Sequence, residues 1–325
     1  MKISVGMVNY ADGFKIRTLA EKATVSARVV IDATADKGSH YNVAARLAGS
    51  DTNKTILFSS HYDSVMTAGF GDDGAGTAGL LELARVFAAA KRTGAYNLPC
   101  TLMFVAFGAE ELWLIGSSYF VKQHKSEMDD FLAVLNLDPI GSDRLLVSES
   151  PSNLHETVVE AARELGIPIT VIPRAEASSD NWSFELPKER QDAIEYAWGV
   201  SVGLSDVEAR PAVWLGSSPL SWSDSIYGKA GWAHTPYDNS TSTQAYGWMK
   251  PESMEAQLKV TALSAVRLAT PDATATEQVS STLSSATRQP VVDANIVYLV
   301  PLVALIIMLP ALYLIKNRSK KPVHS

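Results

Sequence analysis

Two segments, Thr101 to Phe107 and Phe131 to Leu137, are apolar at nearly every position. A strand with one solvated face alternates apolar and polar residues, so unbroken apolar runs of this length belong to strands covered on both faces. Sheets covered on both faces are mostly parallel, and parallel neighbours need a crossover between them, usually a helix. The flanking sequence supplies such helices. Gly74 to Arg92 carries Leu80, Leu81, Ala84, Phe87 and Ala88 at helical spacing, and Ser117 to Lys125 also reads as helix. Leu154 to Leu165 forms a helix ended by Gly166 and Pro168, and Pro251 to Leu268 a last amphipathic one. Val25 to Ile31, Asn42 to Leu47, Thr55 to Ser60, Ile169 to Ile172 and Ala212 to Leu215 read as further strands. The expected fold class is α/β, a three-layer α/β/α sandwich around a mostly parallel, mixed sheet.

Apolar residues make up 46% of the 325 residues and charged ones 19%, which suits a large core and excludes a disordered chain. The 28 Lys and Arg stand against 35 Asp and Glu, a net charge of -7 that argues against a nucleic-acid partner. Cys100 is the only cysteine, so an internal disulfide and a cysteine-cluster metal site are both excluded. It starts an apolar strand and reads as a small core residue.

The run 294–315 has no charged side chain. As a helix it would reach roughly 33 Å, enough to cross a membrane, with Pro301 and Pro310 kinking it. Lys316, Arg318, Lys320 and Lys321 follow, which puts a tail at 316–325 in the cytoplasm and the body outside it. Residues 271–293, rich in Ser and Thr, read as a flexible stalk. The start, MKISVGMVNYADGF, has no apolar stretch of the length an export signal needs, so the chain reads as a fragment of a longer, single-pass membrane protein that meets lipid through its C-terminal helix.

The candidate chemistry lies at strand ends, where ligand sites of such sheets gather. His61-Tyr62-Asp63 follows one strand, and Gly71-Asp72-Asp73-Gly74-Ala75-Gly76 precedes a helix. Gly108-Ala109-Glu110-Glu111 follows Phe107, Asp138 follows Leu137, and His234-Thr235-Pro236-Tyr237-Asp238 lies in a late loop. Singly, each has an ordinary reading as a surface pair, a helix cap or a turn. Together they crowd carboxylates that would repel one another without a cation. Imidazoles and carboxylates without thiols suit zinc, with manganese or cobalt as alternatives.

The stretches HYDSV, GDDGAGTAGLLELARVF, FVAFGAEELWLIGSSYF, LNLDPIG and HTPYDN resemble, in order and spacing, the M28 family of dinuclear zinc aminopeptidases. The resemblance runs from about Asn42 to Leu268 within an expected domain at 31–270. It implies that His61 and Asp138 bind one zinc, that Glu111 and His234 bind the other, and that Asp72 bridges both. It makes Glu110 the general base of peptide hydrolysis and Asp63 a hydrogen-bond partner that orients His61, with Asp238 supporting the His234 loop. Residues 1–30, with Val8-Asn9-Tyr10-Ala11-Asp12-Gly13, look like the trailing edge of a protease-associated domain or an N-terminal extension.

Some positions depart from the family pattern. Ala233 stands where several relatives carry a tyrosine that donates to the oxyanion, which leaves Tyr237 or Tyr227 as substitutes. The usual Ser-Asp-His stretch is Ser179-Asp180-Asn181, and Pro187 to Arg210 has no counterpart and reads as a loop near the site. Trp182, Trp214, Trp222 and Trp232 are either pocket walls or packing residues. His40, His124, His155 and His324 read as solvent histidines. Asn53, Asn181 and Asn239 start glycosylation sequons. The expected activity is removal of N-terminal residues from peptides. Alternatives are a non-catalytic receptor or assembly subunit, a glutaminyl cyclase or a carboxypeptidase on the same fold.

Overall fold

The computed structural model describes residues 10–26, 28, 38–65, 67–176, 179–199, 201–218 and 233–270. The chain divides into two compact units, Met1–Ser39 and His40–Ser325. In the first, helix α1 (Tyr10–Ala20) carries exposed pairs between Asp12 and Lys15 and between Arg17 and Glu21. Val25, Ser26 and Arg28 are not in a strand, so the strand expected over Val25 to Ile31 does not form in its described part.

The second unit is built on strands β1 (Val43–Leu47), β2 (Asp51–His61), β3 (Cys100–Phe107), β4 (Phe131–Leu137), β5 (Arg144–Ser148), β6 (Ile169–Ile172) and β7 (Ala212–Ser218). They form one sheet in the order β1-β3-β2-β4-β7-β5-β6. The four pairs β2/β3, β2/β4, β4/β7 and β5/β6 are parallel, and β1/β3 and β5/β7 are antiparallel. The sheet is therefore mixed and mostly parallel, as the continuous apolar strands implied.

Helices cover both faces. Helices α2 (Gly74–Thr93), α4 (Leu154–Glu164) and α8 (Pro251–Ala269) enclose Ile56, Phe58, Leu135 and Leu137 with Leu80, Phe87, Val158 and Val266. On the other side α3 (Ile115–Gln123) and α5 (Asn181–Glu185) enclose Leu57, Val105 and Val134 with Phe120, Val121 and Phe184. Ile56 and Phe58 face one layer and Leu57 the other, because side chains alternate along a strand. Burying each such side chain contributes about 1.5–3 kcal/mol.

Helix α6 (Pro187–Trp198) occupies the first half of the segment expected to be a loop. Pro187 sits in its first turn and Gly199 ends it at φ 68°, two local signals that outweigh its weak apolar pattern. Helix α3 starts two residues earlier and ends two earlier than expected. Strand β5 and helices α5 and α7 (Ser240–Tyr246) are additional. Asn53 is exposed, whereas Asn181 is buried and Asn239 caps α7 by accepting the Ser242 N–H. Two expected solvent histidines have partners instead: His124 stacks on Phe120, and His155 accepts the Ser150 N–H.

Among the described residues no helix is long and apolar enough to cross a membrane. The stalk, the apolar run 294–315 and the basic tail all lie outside the described residues.

Candidate metal centre

Strands β2, β3 and β4 are parallel neighbours, so their carboxyl ends open on one edge of the sheet. His61 ends β2 opposite Phe107, and the turns carrying Glu110 and Asp138 follow directly. Helix α2 begins at the same edge, behind Asp72 and Asp73, whose shared peptide is cis. His234, at φ 57°, joins from the late loop.

The structure brings all seven expected site residues together. His61 Nε2 lies 3.1 Å from Asp72 Oδ1, 3.5 Å from Asp138 Oδ1 and 3.9 Å from Glu110 Oε2. His234 Nε2 lies 2.9 Å from Glu111 Oε2 and 3.2 Å from Asp72 Oδ2. Asp72 thus presents one oxygen to each imidazole. His61 is 1% exposed, whereas the His234 side chain is 57% exposed.

Asp63 lies against His61 and has a second part besides. His61 Nδ1 meets the Asp63 backbone carbonyl at 3.1 Å, and the carboxylate oxygen Oδ1 is 3.6 Å away. The carboxylate also accepts the backbone N–H groups of Glu110 at 3.1 Å and Glu111 at 3.2 Å. Asp238 plays a similar part elsewhere, accepting from Gly71 at 2.7 Å and Asp72 at 3.2 Å. Asp73 accepts from His61 and, as the cap of α2, from Gly76. A Cβ at position 76 would lie 2.3 Å from the Asp73 carboxylate and 2.4 Å from the Leu137 carbonyl, so this turn admits only glycine.

Asp138 is held by a chain that sequence reading missed. Ser59 donates to Asn136 Oδ1 at 2.6 Å, Asn136 Nδ2 to Ser179 Oγ at 2.9 Å, and Ser179 to Asp138 Oδ2 at 2.5 Å. Asn136, a polar residue inside the apolar strand β4, was the available signal. Of the tryptophans, Trp214 packs against Leu146 and Ile172, while Trp222, Trp232 and Tyr227 lie outside the described residues. Tyr237 is exposed.

The electrostatics follow from crowding in a buried place. Burial works to lower His61, but Asp138, Asp63 and Asp72 outweigh it and hold the imidazole well above its usual value. Hydrogen bonds to Asp72 and Glu111 push His234 up to about 10. Burial works to raise Asp72, and the contacts with His234 and His61 reverse this, leaving it below the usual range. Burial holds Glu110 and Asp73 well above the usual range and pushes Asp180 up to about 7.

These residues fit a divalent cation. One imidazole nitrogen can donate a single proton, yet His61 Nε2 faces three carboxylates. Glu111 Oε1 is buried with no hydrogen-bond partner, and the ligand atoms of Asp72, Glu111 and His234 lie within 4.8 Å of one another. Nitrogen and oxygen donors of this kind suit zinc.

Known proteins are similar to this chain in sequence and fold. The chain is 31% identical over 137 residues to a probable leucine aminopeptidase 2 of Aspergillus oryzae, covering 42% of this chain and 26% of that one. It is 33% identical over 156 residues to leupeptin-inactivating enzyme 1 of Streptomyces exfoliatus, covering 47% and 35%. Among solved structures, it is similar to the aminopeptidase of Aneurinibacillus sp. strain AM-1, with TM-score 0.50, 26% identity, and coverage of 70% of this chain and 47% of that one. The LapA aminopeptidase of Legionella pneumophila shares the fold, with TM-score 0.54 at 18% identity, covering 70% and 55%. The chain spans about a quarter to a third of these curated relatives and about half of these solved structures. Residues 42–250, most of the chain, match the model of peptidase family M28, and the chain belongs to that family.

Proposed function

We propose that the chain carries the catalytic centre of an aminopeptidase that uses two zinc ions to remove N-terminal residues from peptides. The observation that carries this reading is the position of Asp72, with one carboxylate oxygen toward His61 and the other toward His234. On this reading His61 and Asp138 would hold one ion and Glu111 and His234 the other, with the Asp72 carboxylate available to both. Bound zinc supplies Lewis acidity toward the scissile carbonyl and makes a nearby water more acidic. Glu110 takes the proton of the attacking water and returns it to the leaving amine. Asp63 and Asp238 keep the turns bearing Glu110, Glu111 and Asp72 in place. The surplus of carboxylates attracts the cationic amine at a peptide N-terminus.

Exposed apolar side chains flank the ligands: Tyr62 beside His61, Phe70 before Gly71, Leu112 and Trp113 after Glu111, and Tyr237 in the His234 loop. Together with relatives named as leucine aminopeptidases, they favour a large apolar N-terminal residue. The uncharged run 294–315 supports a membrane tether that leaves this domain outside the cytoplasm.

Zinc content and hydrolysis of leucine p-nitroanilide test the reading, with the same compound N-acetylated as control. Cleavage of the free-amine compound alone is expected. Cleavage of blocked peptides would favour a carboxypeptidase, and cyclisation of N-terminal glutamine a glutaminyl cyclase. A purified chain that takes up no zinc at neutral pH would favour a non-catalytic role.

A further inference from the structure

Arg190, in α6, is the only Arg or Lys among the described residues that is buried. It belongs to the stretch Pro187 to Arg210, whose first half is helix α6 rather than the expected loop. Its Nη2 donates to the Trp113 carbonyl at 2.9 Å, and its Nε has no partner. Trp113 lies three residues beyond Glu110, in a turn that needs outside support. Ala109, Trp113 and Leu114 all take positive φ, at 58°, 73° and 58°. Side chains with a Cβ rarely adopt that region, and each such residue costs of order 1 kcal/mol or more unless its surroundings hold it.

The turn closes on itself through Leu114 N–H to the Glu110 carbonyl at 2.7 Å and Ile115 N–H to the Ala109 carbonyl at 3.1 Å. Two side chains then fix it from outside. Asp63 accepts the N–H groups at its start, and Arg190 donates to the carbonyl at its end. The guanidinium also sits in the field of Glu110 and of Asp180, whose two oxygens are buried without a hydrogen-bond partner. A fixed cation there offsets the repulsion among carboxylates that the turn brings together.

We propose that Arg190 is a positioning residue for the reaction: acting through the Trp113 carbonyl, it holds Glu110 and Glu111 in their working geometry. This rests on the aminopeptidase reading above, and the role is not that of a substrate contact. A small displacement of a catalytic group lowers turnover while leaving binding intact, by up to about 100-fold for a 1 Å shift.

The test uses the full zinc-loaded chain and the variants Arg190→Gln and Arg190→Lys. The readouts are kcat and KM for leucine p-nitroanilide, zinc content, and hydrogen exchange of the peptide covering residues 109–115. For Arg190→Gln the expected result is kcat down by about 10- to 100-fold and KM within about threefold of the parent. Exchange in 109–115 should quicken at least about tenfold, with β4 unaffected. Arg190→Lys, which can still donate to one carbonyl, should fall between the two. Unchanged exchange with kcat within about twofold of the parent would overturn the proposal, even if thermal stability fell. A raised KM at unchanged kcat would overturn it too, by making Arg190 a substrate contact. If the parent chain fails to cleave the compound but exchange still quickens in Arg190→Gln, the aminopeptidase reading fails and the positioning of the turn stands.

Discussion

Asp238 accepts the Gly71 N–H at 2.7 Å across 167 positions of sequence, and its second oxygen takes the Asp72 N–H. The loop that carries His234 is thereby tied to the backbone of the residue that faces both imidazoles. Because Asp238 is buried, its loss would leave two amide donors without acceptors. Asp238→Ala is expected to weaken zinc binding by about 10- to 100-fold, the usual cost of losing a partner just outside the ligands. A metal-buffered titration measures this, and an unaltered affinity would show that the loop is held by other contacts.

Glu110 sits at the strand edge with its carboxylate 3.9 Å from His61 and is not needed to complete the proposed ligand set. Glu110→Gln keeps the shape and removes the base. Turnover should fall at least ~100-fold with zinc content unchanged. Full activity in a zinc-loaded Glu110→Gln chain would assign the proton transfer to another group.

The metal-free chain should respond to pH in a defined direction. His61 and His234 are held above their unfolded value of about 6.5 by the facing carboxylates. Such groups stabilise the fold fully below that value and lose their contribution as pH rises through the folded one, which is about 10 for His234. Glu110 and Asp73, raised by burial, act in the same sense, because ionising them inside the fold is unfavourable. Asp72, lowered, works at the acid end, contributing above about 3.9 and losing this as pH falls through its folded value. In chelator the Tm should therefore decline steadily from about pH 6.5 to about 10, and zinc should flatten the curve. A flat Tm without metal across that range would contradict the ion pairing described.

Phe184 is fully buried and meets the rings of Phe107, Phe120 and Phe131 at centroid distances of 6.2–6.3 Å. It is the main anchor of the short helix α5 beneath Ser179 and Asp180. Phe184→Ala should cost about 3–5 kcal/mol in denaturant unfolding. A loss below about 1 kcal/mol would mean that the neighbouring rings collapse into the space.

The strands that carry the site were the most legible part of the sequence. Strand β4 ends where its apolar run ends, and β3 begins one residue before its own, because burial on both faces leaves few polar residues to blur the edges. Three candidate ligands were legible for a related reason, since His61, Glu111 and Asp138 each come at or just after the end of such a run, whereas Asp72 precedes a helix and His234 lies in a loop, and both rested on the family resemblance. Helix α6 was not, because PKERQDAIEYAW offers few apolar positions and its boundaries are set by Pro187 and Gly199. The part played by Asp63 was hidden for a reason of register. Spacing alone pairs it with His61, two residues away. Only the alignment of His61 with Phe107 reveals that the Glu110 and Glu111 amides come alongside it. Long-range partners such as Asp238 with Gly71, or Ser179 with Asp138, leave no local pattern at all.

The two imidazoles differ sharply in their access to water, with His61 sealed at 1% exposure and His234 open at 57%. Two ions seated as proposed would not be equivalent in time. The outer one, on Glu111 and His234, would have an exposed imidazole among its ligands, within reach of a chelator. The inner one, on His61 and Asp138, would have to leave past a buried imidazole and a carboxylate that Ser179 holds in place. Stripping should proceed in two phases through a singly loaded form, and refilling with a second kind of metal should yield a mixed pair whose newcomer occupies the outer seat.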